Sequence, residues 1–457
     1  WLNKENDLVK KNRYLARLTN ISISTSDGKD RLMTWQSGWQ GWAERPLLGW
    51  GPENFNLAFN EHYNPEHIRH GTAATWYDRA HNFIFDLGVT SGWLGLISWL
   101  AIFGVAIYYL WHWRKRIGLT ISSILISLLA AYLLQNLFNF DTPATYLLLF
   151  FTLGLISVYC FVKKEVIVKE NNQQFFWPVL ISLLVLTSII IYQTNWKPYQ
   201  SSRNGALAMA VSKVNYQMGI DFFKKSLAGN TFVNPEMRMQ LAKAVLQPAS
   251  KEEISHEDRY RGLKFAIEEM EKNVAAHPRD VRYALFLAQL VNAITRYQPG
   301  YLQSADDLLT SMLPTNATRH QVYYELAHTK ILEHKYKEAV DLMRQAVLLL
   351  PDLKDPHWNL AMTYLIAGQT ELGLDEVEKS VELGYQYYKD KEVILYLAKA
   401  YLSVGDYQQV ITHYYRAIAL DPDDSQLYTE LASIYALTDN QAKVKQMTDI
   451  AQKKAGN

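Results

Sequence analysis

Polar and apolar positions divide the chain into three zones. Residues 1–91 are polar and mixed, rich in Trp, Tyr, His and Arg. Residues 92–195 hold four apolar runs, at about 92–113, 117–138, 144–162 and 176–194. Residues 196–457 read as soluble and helical. Each run approaches the roughly 20 residues that a helix needs to cross a bilayer core. Four such runs in succession, almost without charge, do not pack as core helices in water. The pattern predicts four transmembrane helices.

Basic residues orient them. Arg114, Lys115 and Arg116 follow the first run, and Lys163, Lys164 and Lys169 follow the third. The turn between the second and third, NFDTPAT (139–145), has neither Lys nor Arg. Positive charge collects on the cytoplasmic side. Residues 1–91, the 139–145 turn and everything after 195 are then expected outside the cytoplasm. Trp93, Trp111, Trp113, Trp177 and Trp196 mark the interfaces, where amphipathic rings prefer to sit.

The last zone repeats. Ala327, Ala361, Ala398 and Ala432 each follow a leucine, at spacings of 34, 37 and 34 residues. The longer spacing points to an insertion near GYQYYKD (384–390). YYELAHTKILEHKYKEAVDLMRQAVLLLP (323–351) carries Tyr323, Leu326, Ala327, Tyr336, Ala339, Ala346 and Pro351. It resembles the tetratricopeptide repeat, in which small residues let paired helices approach and large ones fill the gaps between pairs. A second unit has Leu397, Ala398, Tyr401, Gly405, Tyr407, Ala417 and Pro422. Weaker units end near Pro278 and Pro314, and 204–230 reads as a degenerate first one. The expected fold class is all-α: a multi-pass transmembrane domain, then an α-solenoid over 196–457, clearest at 320–445. Such a solenoid is by default a surface for protein partners.

Chemistry is sought in the first zone. In DRLMTWQSGWQGWAER (30–45), Arg31, Trp35, Gly38, Trp42 and Arg45 fall on one helical stripe. Asp30 is placed to cap that helix and Pro46 to end it. The tryptophans suit a membrane interface. The planar fork of arginine suits phosphate. RPLLGWGPENF (45–55) reads as a tight turn built on Gly49 and Gly51, without the spacing of a phosphate-binding loop. His62, His67 and His70 are scattered too loosely for a metal site and read as surface residues. His81 differs. In RAHNFIFDLG it precedes Asn82 and then a membrane helix, where a histidine can accept a proton near neutral pH.

Composition excludes some functions. The formal net charge is +1, which argues against nucleic-acid binding by bulk charge. The single cysteine, Cys160, lies in an apolar run, so no disulfide framework is expected. The chain begins at Trp1 and is expected to be a fragment whose N-terminal part is missing.

Taken together, RLMTWQSGWQGWAERPLLGWGPENF, then AHNFIFDLGVTSGWLGLISWL, then NLFNFDTPAT (136–145) resemble the O-antigen ligase/polymerase superfamily, whose members often append tetratricopeptide repeats. The resemblance covers roughly residues 30–160. It implies a metal-independent, inverting glycosyltransferase without a cofactor, in the bacterial cytoplasmic membrane. Such an enzyme moves a glycan from an undecaprenyl-pyrophosphate carrier to a glycan, lipid or protein acceptor on the outer side. On matching positions, His81 is the essential histidine. Arg31 engages the pyrophosphate, with Arg45 and Arg79 as weaker candidates. The rivals are a non-enzymatic membrane scaffold displaying the solenoid and a transporter subunit. The apolar runs hold essentially only His112 as an ionisable residue, which disfavours transport.

Overall fold

The computed structural model describes residues 26–70, 76–161, 173–248 and 254–455, and every regular element among them is helical. Lys163, Lys164 and Lys169 lie outside the described residues. The chain divides into two compact units, Trp1–Arg319 and His320–Asn457.

Unit one opens with α1 (Ser26–Glu44) and the short α2 (Phe55–Glu61), then a 3₁₀ turn at Pro65–His70. The membrane elements follow: α3 (Phe83–His112), the basic turn α4 (Arg114–Ile117), α5 (Leu119–Asn136), α6 (Pro143–Phe161) and α7 (Gln173–Ile191). Among the described residues four helices are long and apolar enough to cross a membrane, as the sequence predicts. α3, α5 and α6 close around Phe103, Leu110, Leu129, Leu149 and Ile156. In α7 no residue of the apolar stretch is buried. It passes through one π-turn (Tyr192–Trp196) into α8 (Lys197–Val211). The 137–142 segment meets the first zone, since Arg31 donates to the Phe138 carbonyl. The basic Arg114–Arg116 turn lies at the opposite end of α5 from this segment.

α1 begins four residues before Asp30, so Asp30 is not its cap. Asp30 is buried and faces His67 at 3.2 Å. The middle of the stripe, Gly38 and Trp42, faces a protein core. Trp42 is 3% exposed, in a core with Phe55, Phe59 and Val89. Gly38 and Gly88 make that packing possible. A Cβ on Gly88 would sit 2.4 Å from the Trp42 ring.

The apolar run at 92 is not the helix start. α3 starts at Phe83 and breaks at Gly92, with φ 66° and ψ −167°. Only glycine adopts that geometry at ease. Across the break, the Val89 and Thr90 carbonyls accept from the Trp50 and Gly51 amides at 2.8 and 2.9 Å. The Trp93 and Leu94 amides donate to the Pro46 and Leu47 carbonyls at 2.7 and 3.3 Å. The Pro46–Gly51 turn thus replaces the hydrogen bonds that the helix gives up. This is why the turn is rich in glycine: at Gly49 (φ 69°) a Cβ would lie 2.4 Å from the Val89 carbonyl oxygen.

Helix pairs complete unit one: α8 with α9 (Tyr216–Leu227), α10 (Asn234–Leu246) with α11 (His256–Ala276), and α12 (Val281–Ile294) with α13 (Leu302–Met312). The first of these pairs takes in the 204–230 stretch. Unit two holds α14 (His320–Leu332) with α15 (Tyr336–Leu349) and α16 (Lys354–Ile366) with α17 (Thr370–Glu382). It ends with α18 (Lys391–Ser403), α19 (Tyr407–Leu420), α20 (Ser425–Leu437) and α21 (Gln441–Ala455). Ala327, Ala361, Ala398 and Ala432 are all buried. The expected insertion is a turn after α17 whose Tyr387 stacks on Trp358 and bonds His413.

Gly92→Ala tests the break. A Cβ there would meet the Leu47 backbone at 2.3 Å. The substitution is expected to cost about 2–5 kcal/mol and to lower the thermal midpoint of the detergent-solubilised protein. Gly104→Ala, where nothing lies within 4 Å, is expected to leave that midpoint unchanged.

Candidate functional site

His81 sits at the corner between the 76–80 segment and α3, in the left-handed region at φ 53°. Three neighbours hold that corner. Asn82 caps α3, its Oδ1 accepting from the Ile84 and Phe85 amides at 2.9 and 3.4 Å. The Ala80 amide donates to Asp86 at 2.5 Å. The Ala80 carbonyl accepts from the Trp35 indole at 2.8 Å. Trp35 also stacks on Phe85, with ring centroids 5.5 Å apart. Arg31 is one turn before Trp35, so the stripe ties the arginine to the histidine corner.

The His81 ring meets Phe140 edge to face at 5.0 Å and Tyr77 at 6.4 Å. It has no hydrogen-bond partner among the described residues. Burial, and next the Arg31 guanidinium, hold its pKa below the ordinary 6.5. Asp78 opposes them and Arg79 adds to them. The imidazole is therefore neutral at physiological pH, the form that accepts a proton.

Arg31 donates to the Phe138 carbonyl at 2.9 Å. Arg79 forks onto both Glu53 oxygens at 3.0 and 2.9 Å and lies 5.6 Å from the Phe140 ring centroid. The structure thus gathers Arg31, Arg79 and His81 around the Phe138–Phe140 segment. Arg45 it places elsewhere, over the Trp50 ring at 4.2 Å. His67 is not a surface residue. It is fully buried, bonds Asp30 and packs between Tyr63 and Tyr77. His62 faces Glu44 at 3.2 Å. Among the described residues no three of His, Cys, Asp and Glu converge as metal ligands would.

Sequence reasoning assigned no role to Asp141, Phe140 or Glu53. Asp141 accepts from Tyr132 (2.5 Å), Asn136 (3.1 Å) and Thr145 (3.0 Å), which fixes the NFDTPAT turn. Its signal was available: a carboxylate between two apolar runs demands partners. A cavity of about 230 Å³ opens here, lined by Glu53, Asp78, Arg79, Asp86, Asp141 and the Phe140, Trp99 and Tyr146 rings. It joins carboxylates able to accept from hydroxyls to flat apolar faces.

Residues 8–100 match the family model described as O-antigen ligase, and residues 391–434 match the tetratricopeptide repeat. The first match includes Arg31 and His81. Among curated proteins no match is found. Solved structures similar to part of the chain include YrrB, described as a TPR protein with an unusual peptide-binding site. It is 19% identical with a TM-score of 0.34, over 42% of this chain and 94% of that one. MamA of Desulfovibrio magneticus RS-1 is 16% identical with a TM-score of 0.31, over 38% and 95%. A TPR protein of Thermus thermophilus, TTC0263, is 16% identical with a TM-score of 0.31, over 44% and 97%.

Trp35→Phe keeps the stack on Phe85 and removes the bond to the Ala80 carbonyl. It is expected to cost about 1 kcal/mol, read as a lower thermal midpoint.

Proposed function

We propose that this chain, an O-antigen ligase-type membrane segment joined to tetratricopeptide repeats, transfers a glycan from an undecaprenyl-pyrophosphate carrier to an acceptor hydroxyl. The reaction runs on the non-cytoplasmic side of a bacterial inner membrane. The observation that carries the reading is a neutral His81, without a hydrogen-bond partner among the described residues, near Arg31 at one end of the membrane-type helices.

A hydroxyl is a poor nucleophile. His81 takes its proton as the oxygen forms its bond to the anomeric carbon. The bond from that carbon to the pyrophosphate oxygen breaks, and the electron pair leaves with the carrier. Arg31 stabilises the charge that grows there. Arg79, already paired with Glu53, is the weaker candidate for that work. Attack opposite the leaving group inverts the anomeric centre. Neither bond change calls for a metal. Both lipid-linked reactants are held at one depth, which lowers the orientational cost. The alternative, a scaffold without enzyme activity, draws on the repeats of unit two, which suit a protein partner. In the enzyme reading those repeats bring the acceptor or an assembly partner to the site.

The test is transfer of a labelled glycan from its lipid-pyrophosphate carrier by the native full-length protein in membranes. His81→Ala at normal abundance is expected to lose transfer by about 10²–10⁴-fold. Arg31→Ala is expected to lose it by about 10²–10³-fold. Full transfer in both variants would overturn the mechanism.

The pH dependence has a defined sign. A base works when deprotonated, so the rate falls on the acid side as pH drops through its pKa. Because the His81 pKa is lowered, that fall is expected below pH 6.5. Arg31→Ala removes one of the lowering charges, so the residual activity is expected to fall off at higher pH than the wild type. An acid limb unmoved by that change would count against His81 as the base.

A further inference from the structure

Arg319 is fully buried, yet it carries a guanidinium. It closes the stretch that follows α13 and reaches back into the first zone of the chain. Its guanidinium lies 4.0 Å from the Tyr63 ring centroid and 4.2 Å from that of Trp76, and donates to Asn60 at 2.7 Å. The preceding Thr318 hydroxyl donates to the Tyr63 carbonyl at 2.6 Å.

A charge in such a place costs stability, whatever its contacts return. Burial pushes its pKa down to about 10, the direction of a cation in an unfavourable place. Replacing a buried ion with a well-packed apolar group is often neutral or stabilising. What the guanidinium supplies is orientation, because its rigid plane fits two ring faces and one amide oxygen at once. The rings it holds continue to the site. Tyr63 stacks on His67 at 5.7 Å, His67 meets Tyr77 at 5.6 Å, and Tyr77 meets His81 at 6.4 Å. His67 also bonds Asp30, the neighbour of Arg31.

We infer that Arg319 is a positioning residue: it seats Tyr63 and Trp76 so that the His67–Tyr77 pair holds His81 in place beside Arg31. The inference rests on reading His81 as the base. It makes the α10–α13 helices part of the transferase rather than a detachable appendage.

The test uses the native full-length protein in detergent with Arg319→Met and Arg319→Lys. Methionine keeps the bulk without the charge, and lysine keeps the charge without the plane. Both are expected to retain the thermal midpoint of the wild type within a few degrees. Both are expected to lower kcat at least about tenfold with the donor KM within about twofold, the mark of a misplaced group rather than a lost binding contact. Looser packing rehydrates His81, which still faces Arg31, Asp78 and Arg79. The acid limb of the rate profile is then expected to move up, toward the ordinary histidine value. Histidine-selective NMR titration, with the His81 signal assigned by its absence in His81→Ala, is expected to show the same displacement. Wild-type kcat with an unmoved His81 titration would sink the inference. So would failure of both variants to accumulate as folded protein, since the role would then be structural. If the wild type transfers nothing from any donor, the enzyme reading fails, and the NMR titration still decides whether Arg319 seats His81.

Discussion

The exchange of backbone hydrogen bonds across Gly92 is the constraint on which the rest of unit one depends. A helix broken at the membrane boundary leaves two carbonyls and two amides without partners, where water is scarce and each would cost several kcal/mol. The Pro46–Gly51 turn meets all four. That docking sets the turn against α3, and the turn sets the end of α1, because Trp50 donates to the Gly41 carbonyl. Once α1 is seated, Trp35 reaches Ala80 and Arg31 reaches Phe138. The break also sets off the nine residues from Phe83 to Ser91 from the span, and the His81 that precedes them meets Phe140.

How much of this was legible depends on the range of the interaction. Length and hydropathy reveal a span because the bilayer tests every residue of the helix alike, and the four runs emerged that way. The alanine–leucine spacing revealed the repeats, since each helix pair solves the same packing problem. The Arg31–Trp35–Trp42 stripe was readable as a helix face, but not what the face meets. Tryptophan suits a membrane interface and a protein core equally, and only Gly88 opposite Trp42 decides for the core. The break was hidden because Gly92 lies inside an apolar run where a glycine raises no local alarm. Burial of His67, Asp30 and Arg319 was hidden for a related reason. Polar residues are buried only where distant partners satisfy them, and those partners stand far away in the chain.

The electrostatics of the outer site divide into two regions. Around His81 stand Arg31 and Arg79, which together with burial favour the neutral ring, and Asp78, which opposes them. Around the adjoining cavity stand Glu53, Asp78, Asp86 and Asp141, with Arg79 committed to Glu53. A pyrophosphate is repelled by the second region and attracted by the first. Polyhydroxylated groups have the opposite preference, for acceptors of hydrogen bonds beside flat apolar rings. Under the proposed transferase, a substrate that is a phosphate at one end and a sugar at the other would meet both regions.

The border between the two units bears on what the repeats do. Arg319 ends unit one and His320 opens unit two. Up to that border the helix pairs are fastened to the first zone by Arg319–Asn60, Thr318–Tyr63 and Asn56–Asp280. Asn60 and Tyr63 lie on or just after α2, whose Phe55 and Phe59 share the core of Trp42 and Val89. Displacing these helix pairs would therefore disturb the same core that seats α1 and the start of α3. Unit two has a core of its own, built on Leu397, Ala398, Tyr401 and Leu431. A partner that engages that unit need not unpack the His81–Arg31 corner. Under the proposed function, the first helix pairs serve as structure for the chemistry and the later ones for recognition.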